Sequence, residues 1–528
     1  MNFVGTELVE RTQATAWPIG LGQRLKAAWA PLVLGGIVAV AGALRILDLG
    51  TKSLWFDETY SVYIAEQSLL GIPRLLRLFD THPPLYYVLL HFWIALLGRS
   101  EVWVRILSVL ASLGAVVLTW LLARRTAGPR VAVLAAVLLT ISPFQVTAAQ
   151  EARMYPFLML FGLGASYALW LALEEGRRRY WIAYGICTLL ALYTHHFALV
   201  LLVAQGIYVV AFHRARGAVM SWVVTTAGVA VAYAPLLPTL LTQLLTARGW
   251  PGIRPPFGLG ALTDTLGLFS FGGGLFGMGT YFQRGALPLE YRGAILLPFV
   301  LLVLAGVGGL KGRQRSFLLS YWLLPILLVG AVSLKWNMFY ERYFSFVIPA
   351  FSILVAAGIV TVAAAMRGPM KSGLAFVGLL ALVASFNVPA LVNLYRTGTP
   401  YDWRALAHFV RDNARTDDFI LFVPAFARIP FEYYFEGPQK RMSVNPREVI
   451  SANRQVRFKT QIDAGKFAAV ARGHPRMWII ATIPIGEEAR KEIAKILAPY
   501  FREVEGKSFG LVYAFRWESR VYEGSPGP

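Results

Sequence analysis

The sequence has little charge for its length and almost no cysteine. Charged residues occupy 15% of the 528 positions, whereas a soluble domain has about a quarter. With 56% hydrophobic residues and a mean hydropathy of +0.55, the composition is that of a polytopic membrane protein. Cys187 is the only cysteine, which excludes a disulfide within one chain.

Acidic residues are also scarce. The chain has 29 Asp and Glu residues against 50 Lys and Arg residues, which gives a net charge of +21. A nucleic-acid-binding protein would concentrate this charge on a polar domain, but here it lies in short loops between apolar runs. We therefore expect membrane lipids as partners and no nucleic acid. Residues 1–29 lack the short apolar region and cleavage site of a signal peptide, and we expect a cytoplasmic segment there.

Eleven apolar runs are candidates for crossing a hydrocarbon core about 30 Å thick. A twelfth run, Leu85–Gly98, has 14 residues and at about 1.5 Å per residue is too short to cross. Two spans next to the tight "THH" hairpin are short, so the expected count is eleven to thirteen. The eleven runs are Ala30–Leu47, Val102–Ala123, Arg130–Val146, Tyr155–Leu173, Trp181–Thr194, Phe197–Phe212, Val219–Leu240, Ala294–Leu310, Phe317–Leu334, Phe344–Met366 and Ser372–Val392.

The positive-inside rule decides how Leu85–Gly98 is placed. If this run does not cross, the basic loops all fall on one face, which is then cytoplasmic. We therefore predict a non-crossing helix at the outer face that begins at Pro83 and Pro84, where a missing N–H costs little. The basic residues that become cytoplasmic are Arg11, Arg24, Lys26, Arg124, Arg125, Arg130, Arg177, Arg178, Arg179, Arg214, Arg216, Lys311, Arg313, Arg315, Arg367 and Lys371.

This topology predicts a transmembrane domain over residues 30–394, with outer loops at 48–101 and 241–293. Over residues 395–528 strands such as "RMWIIAT" and "GLVYAFRW" alternate with helices such as "EEARKEIAKILAPYF", the pattern of a small α/β domain. An odd number of spans places this domain outside. The expected fold class is an α-helical polytopic membrane protein with about eleven transmembrane helices and a C-terminal extracytoplasmic α/β domain.

Side chains able to perform chemistry lie in the outer loops. "SLWFDETYSV" places Asp57 beside Glu58 after the first span; Asp57 is either a helix N-cap or a general base or metal ligand at the membrane surface. Arg153 and Arg342 lie at outer span ends, where arginine either snorkels to the interface or binds phosphate through its planar fork.

The histidines of the outer loops are open to two interpretations. His82 is either a site residue or a polar residue ahead of a proline-started helix. His195 and His196 suggest a metal site, but adjacent histidines in a short hairpin rarely share one ion, and packing at the interface is the more frequent role.

The ordered motifs "FDE", "HPPLYY", "QEARMYP", "YTHH", "ERYF" and "YDWRALA" resemble those of GT-C glycosyltransferases that use polyprenyl-phosphate sugars. The resemblance is to the bacterial branch of the protein O-mannosyltransferase and lipid A aminoarabinose transferase superfamily, and is weakest after about Thr399. It implies a multi-pass protein of a bacterial-type plasma (inner) membrane with its active site outside. The implied reaction is mannosyltransferase-like transfer of a hexose or pentose from a polyprenyl-phosphate sugar to a lipid, glycan or protein acceptor, although the acceptor-binding insertions of eukaryotic protein mannosyltransferases are not found.

The resemblance assigns roles to individual positions. Asp57 corresponds to the aspartate at the acceptor hydroxyl, with Glu58 beside it, and His82 stands where relatives carry a lysine near the lipid phosphate. No cofactor is certain, although the resemblance allows a divalent metal ion between Asp57 and Glu151. The expected donor-phosphate residues are Arg153, Arg342, Tyr343 and His82, and the further site candidates are Glu151, Tyr155 and His195.

These expectations describe an inverting single displacement, in which Asp57 takes the acceptor proton while arginines stabilise the departing lipid phosphate. No phosphate-binding loop for a nucleotide is found in the cytoplasmic loops. The alternative is a lipid or polysaccharide transporter or flippase, which would favour ionisable residues in mid-span and an internal repeat. A sensory or structural membrane protein would explain the tail but not the clustered motifs.

Overall fold

The structure is a computed structural model of the 528-residue chain. It describes residues 21–80, 82–213, 216–246, 257–272, 289–336, 338–443, 447–450, 456–459, 469–470, 473–482 and 494–520. Most of the predicted N-terminal segment 1–29 therefore lies outside the described residues, as do large parts of the predicted loop 241–293 and of the predicted helix in "EEARKEIAKILAPYF".

Helices dominate the described residues up to Arg396. Most are apolar on every side, as expected for helices that face either lipid or one another. The helices are α1 (Leu21–Ile46), α2 (Phe56–Ala65), α3 (Gly71–Phe79), α4 (Leu85–Leu97), α5 (Glu101–Thr126), α6 (Pro129–Ile141), α7 (Pro143–Ala149), α8 (Tyr155–Glu175), α9 (Arg178–Thr194), α10 (Ala198–Phe212), α11 (Arg216–Tyr233), α12 (Leu237–Thr246), α13 (Leu259–Phe271), α14 (Leu289–Gly309), α15 (Gly312–Ser333), α16 (Ile348–Ala365), α17 (Pro369–Arg396), α18 (Trp403–Asn413) and α19 (Arg428–Tyr434).

Within the described residues, eight helical segments are long and apolar enough to cross a membrane, and a ninth arises if α6 and α7 count as one span. These nine correspond to nine of the eleven predicted runs. The other two runs form α9 and α10, which at 17 and 15 residues are short for a span. Leu85–Gly98 forms the short helix α4, as expected. The chain is thus a multi-pass membrane protein, and its orientation stays a prediction.

A break between α6 and α7 shapes the region that follows them. The two helices meet at Ser142 with a bend of 61°, which leaves the last carbonyls of α6 without helical partners. The buried guanidinium of Arg45 donates to the carbonyls of Leu139 and Thr140, both at 3.3 Å, and to Ser112 Oγ at 2.8 Å. Arg45 therefore stabilises the break that directs α7 into the loop after it.

The C-terminal region forms a mixed sheet with the strand order β2-β1-β5-β7-β6. β1 runs parallel to β2 and β5, while β7 is antiparallel to β5 and β6, and β3 pairs only with β4. The predicted α/β domain is confirmed, with apolar side chains buried on both faces of the sheet. The strands are β1 (Phe419–Val423), β2 (Lys440–Ser443), β3 (Arg447–Ile450), β4 (Val456–Lys459), β5 (Arg476–Thr482), β6 (Phe501–Phe509) and β7 (Val512–Ser519).

The α/β domain packs directly on the loop between α1 and α5. Phe426, which follows β1, has its ring centroid 4.9 Å from that of Phe56 at the start of α2. The Tyr434 hydroxyl in α19 donates to Glu101 at 2.6 Å and accepts from the Leu54 N–H at 2.6 Å. These contacts fix α2 between the helical bundle and the domain.

Candidate active site

The first turn of α2 carries the two adjacent carboxylates. The N-cap is Trp55, and Glu58, the third residue of the helix, accepts a hydrogen bond from the Trp55 N–H at 3.2 Å. This contact belongs to a capping box. Asp57 lies inside the first turn, so its interpretation as the N-cap is wrong.

Glu58 is buried and saturated with hydrogen bonds. Arg105 in α5 binds it with both arms of its guanidinium, Nε to Oε1 at 2.7 Å and Nη2 to Oε2 at 2.7 Å. The Ala152 N–H donates to Oε1 at 2.9 Å. Arg105 Nη1 also donates to the carbonyls of Leu49 and Lys52. Glu58 therefore joins the first outer loop, α5 and the loop after α7 into one unit.

Asp57 has a different environment, because its side chain is 27% exposed. Arg153 Nη2 lies 3.9 Å from its Oδ2. The same guanidinium is anchored through Nη1, which donates to the Asp57 carbonyl at 3.3 Å and to Ser61 Oγ at 3.2 Å. Asp57 thus presents a carboxylate that solvent or a ligand can reach, beside a fixed cation.

Glu151 and Arg342 form a third arginine–carboxylate pair. Arg342 Nη2 donates to Glu151 Oε1 at 2.6 Å, and Arg342 lies in the 3₁₀ helix Glu341–Val347 that leads into α16. Its guanidinium lies over the rings of Trp55 and Tyr155, at 5.6 and 5.8 Å from their centroids. Because Arg153 is 6.0 Å from the Tyr155 ring centroid, Tyr155 lies near both guanidinium groups.

His82 belongs to a network at the start of α4. Its Nδ1 lies 2.6 Å from Asp80 Oδ1, and the Tyr87 hydroxyl donates to Asp80 Oδ2 at 2.7 Å. A carboxylate in this position fixes the orientation of an imidazole ring. Asp80 is therefore the residue that positions His82.

Aromatic rings connect His82 to the remaining site candidates. The His195 ring lies 5.2 Å from His82, 4.8 Å from Tyr343 and 6.1 Å from Tyr155, measured between centroids. Tyr343 in turn stacks on Tyr155 at 6.3 Å. All the site residues expected from the sequence therefore lie in one neighbourhood, although five separate segments supply them.

The pKa values outside the spans reflect these pairings. Burial alone would lower the pKa of Arg153, but Asp57 and further groups outweigh it and the pKa lies well above its ordinary value. Burial likewise opposes ionisation of Asp80, yet His82 and Arg153 lower its pKa to about 2. The pKa of Glu151 is raised by burial, which the nearby Arg342 only partly offsets. Arg153 and Asp80 are therefore charged at neutral pH.

Comparison with known proteins identifies the architecture. Residues 81–241 match the family model described as dolichyl-phosphate-mannose-protein mannosyltransferase, while no curated protein matches the chain. ArnT from Cupriavidus metallidurans, solved with bound undecaprenyl phosphate, is 14% identical with a TM-score of 0.58, over 92% of this chain and 98% of ArnT. The chain has the GT-C fold. Its predicted resemblance to the GT-C superfamily is thereby confirmed.

Two structures from an archaeon have the same fold. The apo oligosaccharyltransferase of Archaeoglobus fulgidus is 14% identical with a TM-score of 0.59, and 93% of this chain covers 74% of it. The oligosaccharyltransferase AglB of that organism, in complex with an inhibitory peptide and a dolichol-phosphate, is 13% identical with a TM-score of 0.52 over the same shares. These likenesses establish the GT-C fold of the chain.

A metal ion fits this candidate site poorly. No group of three His, Cys, Asp or Glu side chains in the described part of the chain is arranged to hold one. Asp57 lies beside Arg153, and one oxygen of Glu151 is bound to Arg342, so a cation would compete with two guanidinium groups. Metal binding by Asp57 and Glu151 stays a prediction that this geometry does not favour.

Two residues of the GT-C site were missed by the sequence analysis. Arg105 lies inside a predicted span, and a charge within an apolar run is itself a signal of a functional or structural partner. Asp80, two residues before His82 in the first outer loop, was given no role. Arg105 could not be paired with Glu58 from the sequence, since the two residues are 47 positions apart.

Proposed function

We propose that this protein is an integral-membrane glycosyltransferase with a polyprenyl-phosphate-linked sugar donor. It transfers the sugar to an acceptor hydroxyl on the extracytoplasmic face of a bacterial-type plasma membrane, by an inverting mechanism with Asp57 as the base. The observation that carries the proposal is the partly exposed Asp57 carboxylate beside the anchored Arg153, next to a second arginine, Arg342.

The comparisons supply the class of donor. Proteins of this fold have been solved with undecaprenyl phosphate and with a dolichol-phosphate, and the matching family model concerns a dolichyl-phosphate-mannose donor. A lipid-borne sugar also agrees with the absence of a nucleotide-binding motif from the cytoplasmic loops.

The proposed reaction is a single displacement. The acceptor oxygen attacks the anomeric carbon, its proton passes to the Asp57 carboxylate, and the bond from the anomeric carbon to the phosphate oxygen breaks. The electron pair of that bond leaves with polyprenyl phosphate, which gains one negative charge. Arg153 and Arg342 are placed to stabilise this charge, because guanidinium groups bind phosphate through charge-assisted hydrogen bonds.

The neighbouring residues support this reaction from fixed positions. Glu58 holds the loop that carries Asp57 and has no free oxygen for catalysis, so we assign it a positioning role. His82, oriented by Asp80, adds a third group at the phosphate, and Tyr155 and Tyr343 form an aromatic wall beside it. The transferred sugar is a hexose or a pentose, in a reaction like that of a mannosyltransferase, and the acceptor is a lipid, glycan or protein.

The proposal is tested with purified protein and a panel of radiolabelled polyprenyl-phosphate sugars, scored for label that leaves the lipid and joins an acceptor extract. We expect the wild type to transfer sugar from one of these donors. The control variant Asp48→Asn should transfer it equally well. Asp48 lies in the same loop outside the site, with a positive φ of 57° that Asn tolerates. Transfer only from a nucleotide sugar, or movement of intact donor across vesicles without cleavage, would overturn it.

A further inference from the structure

The imidazole of His195 has a defined tautomer. Its Nδ1 accepts a hydrogen bond from the Phe197 N–H at 3.1 Å, so in the neutral ring the proton is on Nε2. The residue is 4% exposed and lies in the turn between α9 and α10. His195 therefore directs one N–H donor into a buried environment.

That donor has no hydrogen-bond partner among the described residues. A buried donor without a partner is destabilising, and such a group in a native site requires an explanation. Arg153 Nε and Trp55 Nε1 are in the same state, and both belong to the site around Asp57. Glu151 Oε2 is a buried acceptor without a partner, but Arg342 holds its other oxygen.

The surroundings keep His195 uncharged. Burial lowers its pKa well below the ordinary value, and His82, His196 and Arg153 lower it further. The rings of Tyr155, Tyr343 and Phe197 enclose it on other sides. No carboxylate is among the groups that shift its pKa, so His195 differs from His82, which is paired with Asp80.

We propose that His195 is a neutral hydrogen-bond donor whose Nε2–H binds a phosphate oxygen of the polyprenyl-phosphate donor. This inference rests on the proposed function. Three unpartnered donors at one site match a ligand that supplies only acceptor oxygens, which describes a phosphate better than a sugar hydroxyl. Because Arg153 and Arg342 already supply charge, a neutral donor adds direction without a third cation to desolvate.

The competing explanation is that the His195 ring only fills space among the aromatic rings. Three substitutions separate the two explanations. His195→Gln keeps a donor near the position of Nε2, His195→Asn keeps one only near Nδ1, and His195→Phe keeps the ring without a donor. His196→Gln is the matched control, since His196 lies one residue away and contacts Tyr233 instead.

The measurement is the Kd for polyprenyl phosphate without a sugar, in detergent-purified protein whose thermal unfolding shows it to be folded. We expect His195→Phe and His195→Asn to bind about tenfold or more weakly, the range for a lost hydrogen bond to a charged group. His195→Gln and His196→Gln should bind nearly as the wild type does. The loss should be equal at pH 6 and pH 8, because the ring is neutral at both.

The outcomes separate the inference from the proposed function. Wild-type affinity in His195→Phe, while Arg153→Gln loses binding, would overturn the inference and leave the proposed function intact. Binding that weakens above about pH 6.5 in the wild type but not in His195→Phe would indicate that the His195 ring is charged. That result would also overturn the inference. Failure of the wild type to bind any polyprenyl phosphate would overturn both.

Discussion

Asp57 and Glu58 are adjacent in the chain, but the helix turns their side chains about 100° apart. The Asp57 side chain is therefore partly exposed beside Arg153, whereas the Glu58 side chain is buried against Arg105. The two carboxylates therefore divide the tasks of the site. One is accessible for proton transfer, while the other holds the loop in place.

We expect Glu58→Gln to destabilise the protein strongly, because it leaves Arg105 as a buried charge without its counter-ion. Breaking a buried pair in this way costs about 3–5 kcal/mol. Glu66→Gln is the control, since Glu66 pairs with Arg99 at the surface and such pairs contribute about 1 kcal/mol or less. Thermal unfolding in detergent measures both, and equal melting temperatures would contradict the structural role of Glu58.

At the scale of elements, α14 and α16 approach so closely that only glycine fits at the crossing. A Cβ on Gly358 would lie 1.9 Å from the Leu302 carbonyl oxygen, and one on Gly306 would lie 2.1 Å from the Leu354 oxygen. Small residues allow such contact between helix backbones in membranes. Since α16 follows the segment that carries Arg342, this crossing supports one side of the site.

We expect Gly358→Ala to lower the melting temperature, because overpacking at such a contact costs about 1–3 kcal/mol. Gly373→Ala in α17 is the matched control, since its Cβ would meet nothing within 4 Å. Alanine there should be neutral or stabilising by up to about 1 kcal/mol, as in other helices. Equal melting temperatures of the two variants would show that α14 and α16 can move apart without a loss of stability.

The sequence predicted elements well where one physical signal decides them. Long apolar runs predicted the membrane spans, and the alternation of strands and helices predicted the α/β domain. β6 was missed, because it is an edge strand whose residues are mostly polar and partly exposed, so it has no apolar run. The runs that form α9 and α10 were ambiguous for a different reason, because they are apolar but short for a span.

Sequence motifs also predicted the site only in part. The motifs indicated which residues share one face of the membrane, because topology alone brings the outer loops together. They did not indicate pairing, since contacts such as Glu58–Arg105 and Glu151–Arg342 join residues 47 and 191 positions apart. The tautomer of His195 also depends on one backbone N–H, which no residue pattern encodes.

At the scale of the whole molecule, the account requires the α/β domain and the site to lie on one face of the membrane. The domain contacts Phe56 at the start of α2 through Phe426 and the Leu54 N–H just before α2 through Tyr434. The loop that carries Asp57 therefore lies between the bundle and the sheet.

We expect a cysteine introduced at the exposed Ser508 to react with a membrane-impermeant reagent on intact cells, in a Cys187→Ser background. A cysteine at Arg178, in a loop predicted to be cytoplasmic, is the control and should react only after lysis. The reverse pattern would invert the topology and place the site inside the cell.

The most direct test of the account compares Asp57→Asn with the wild type in two measurements on the same preparation. We expect sugar transfer to fall by about 10² or more, the range for removal of a general base. Polyprenyl-phosphate binding should be unchanged or tighter, because no cation is lost and a carboxylate beside Arg153 is neutralised. Full transfer activity in Asp57→Asn would contradict the central claim.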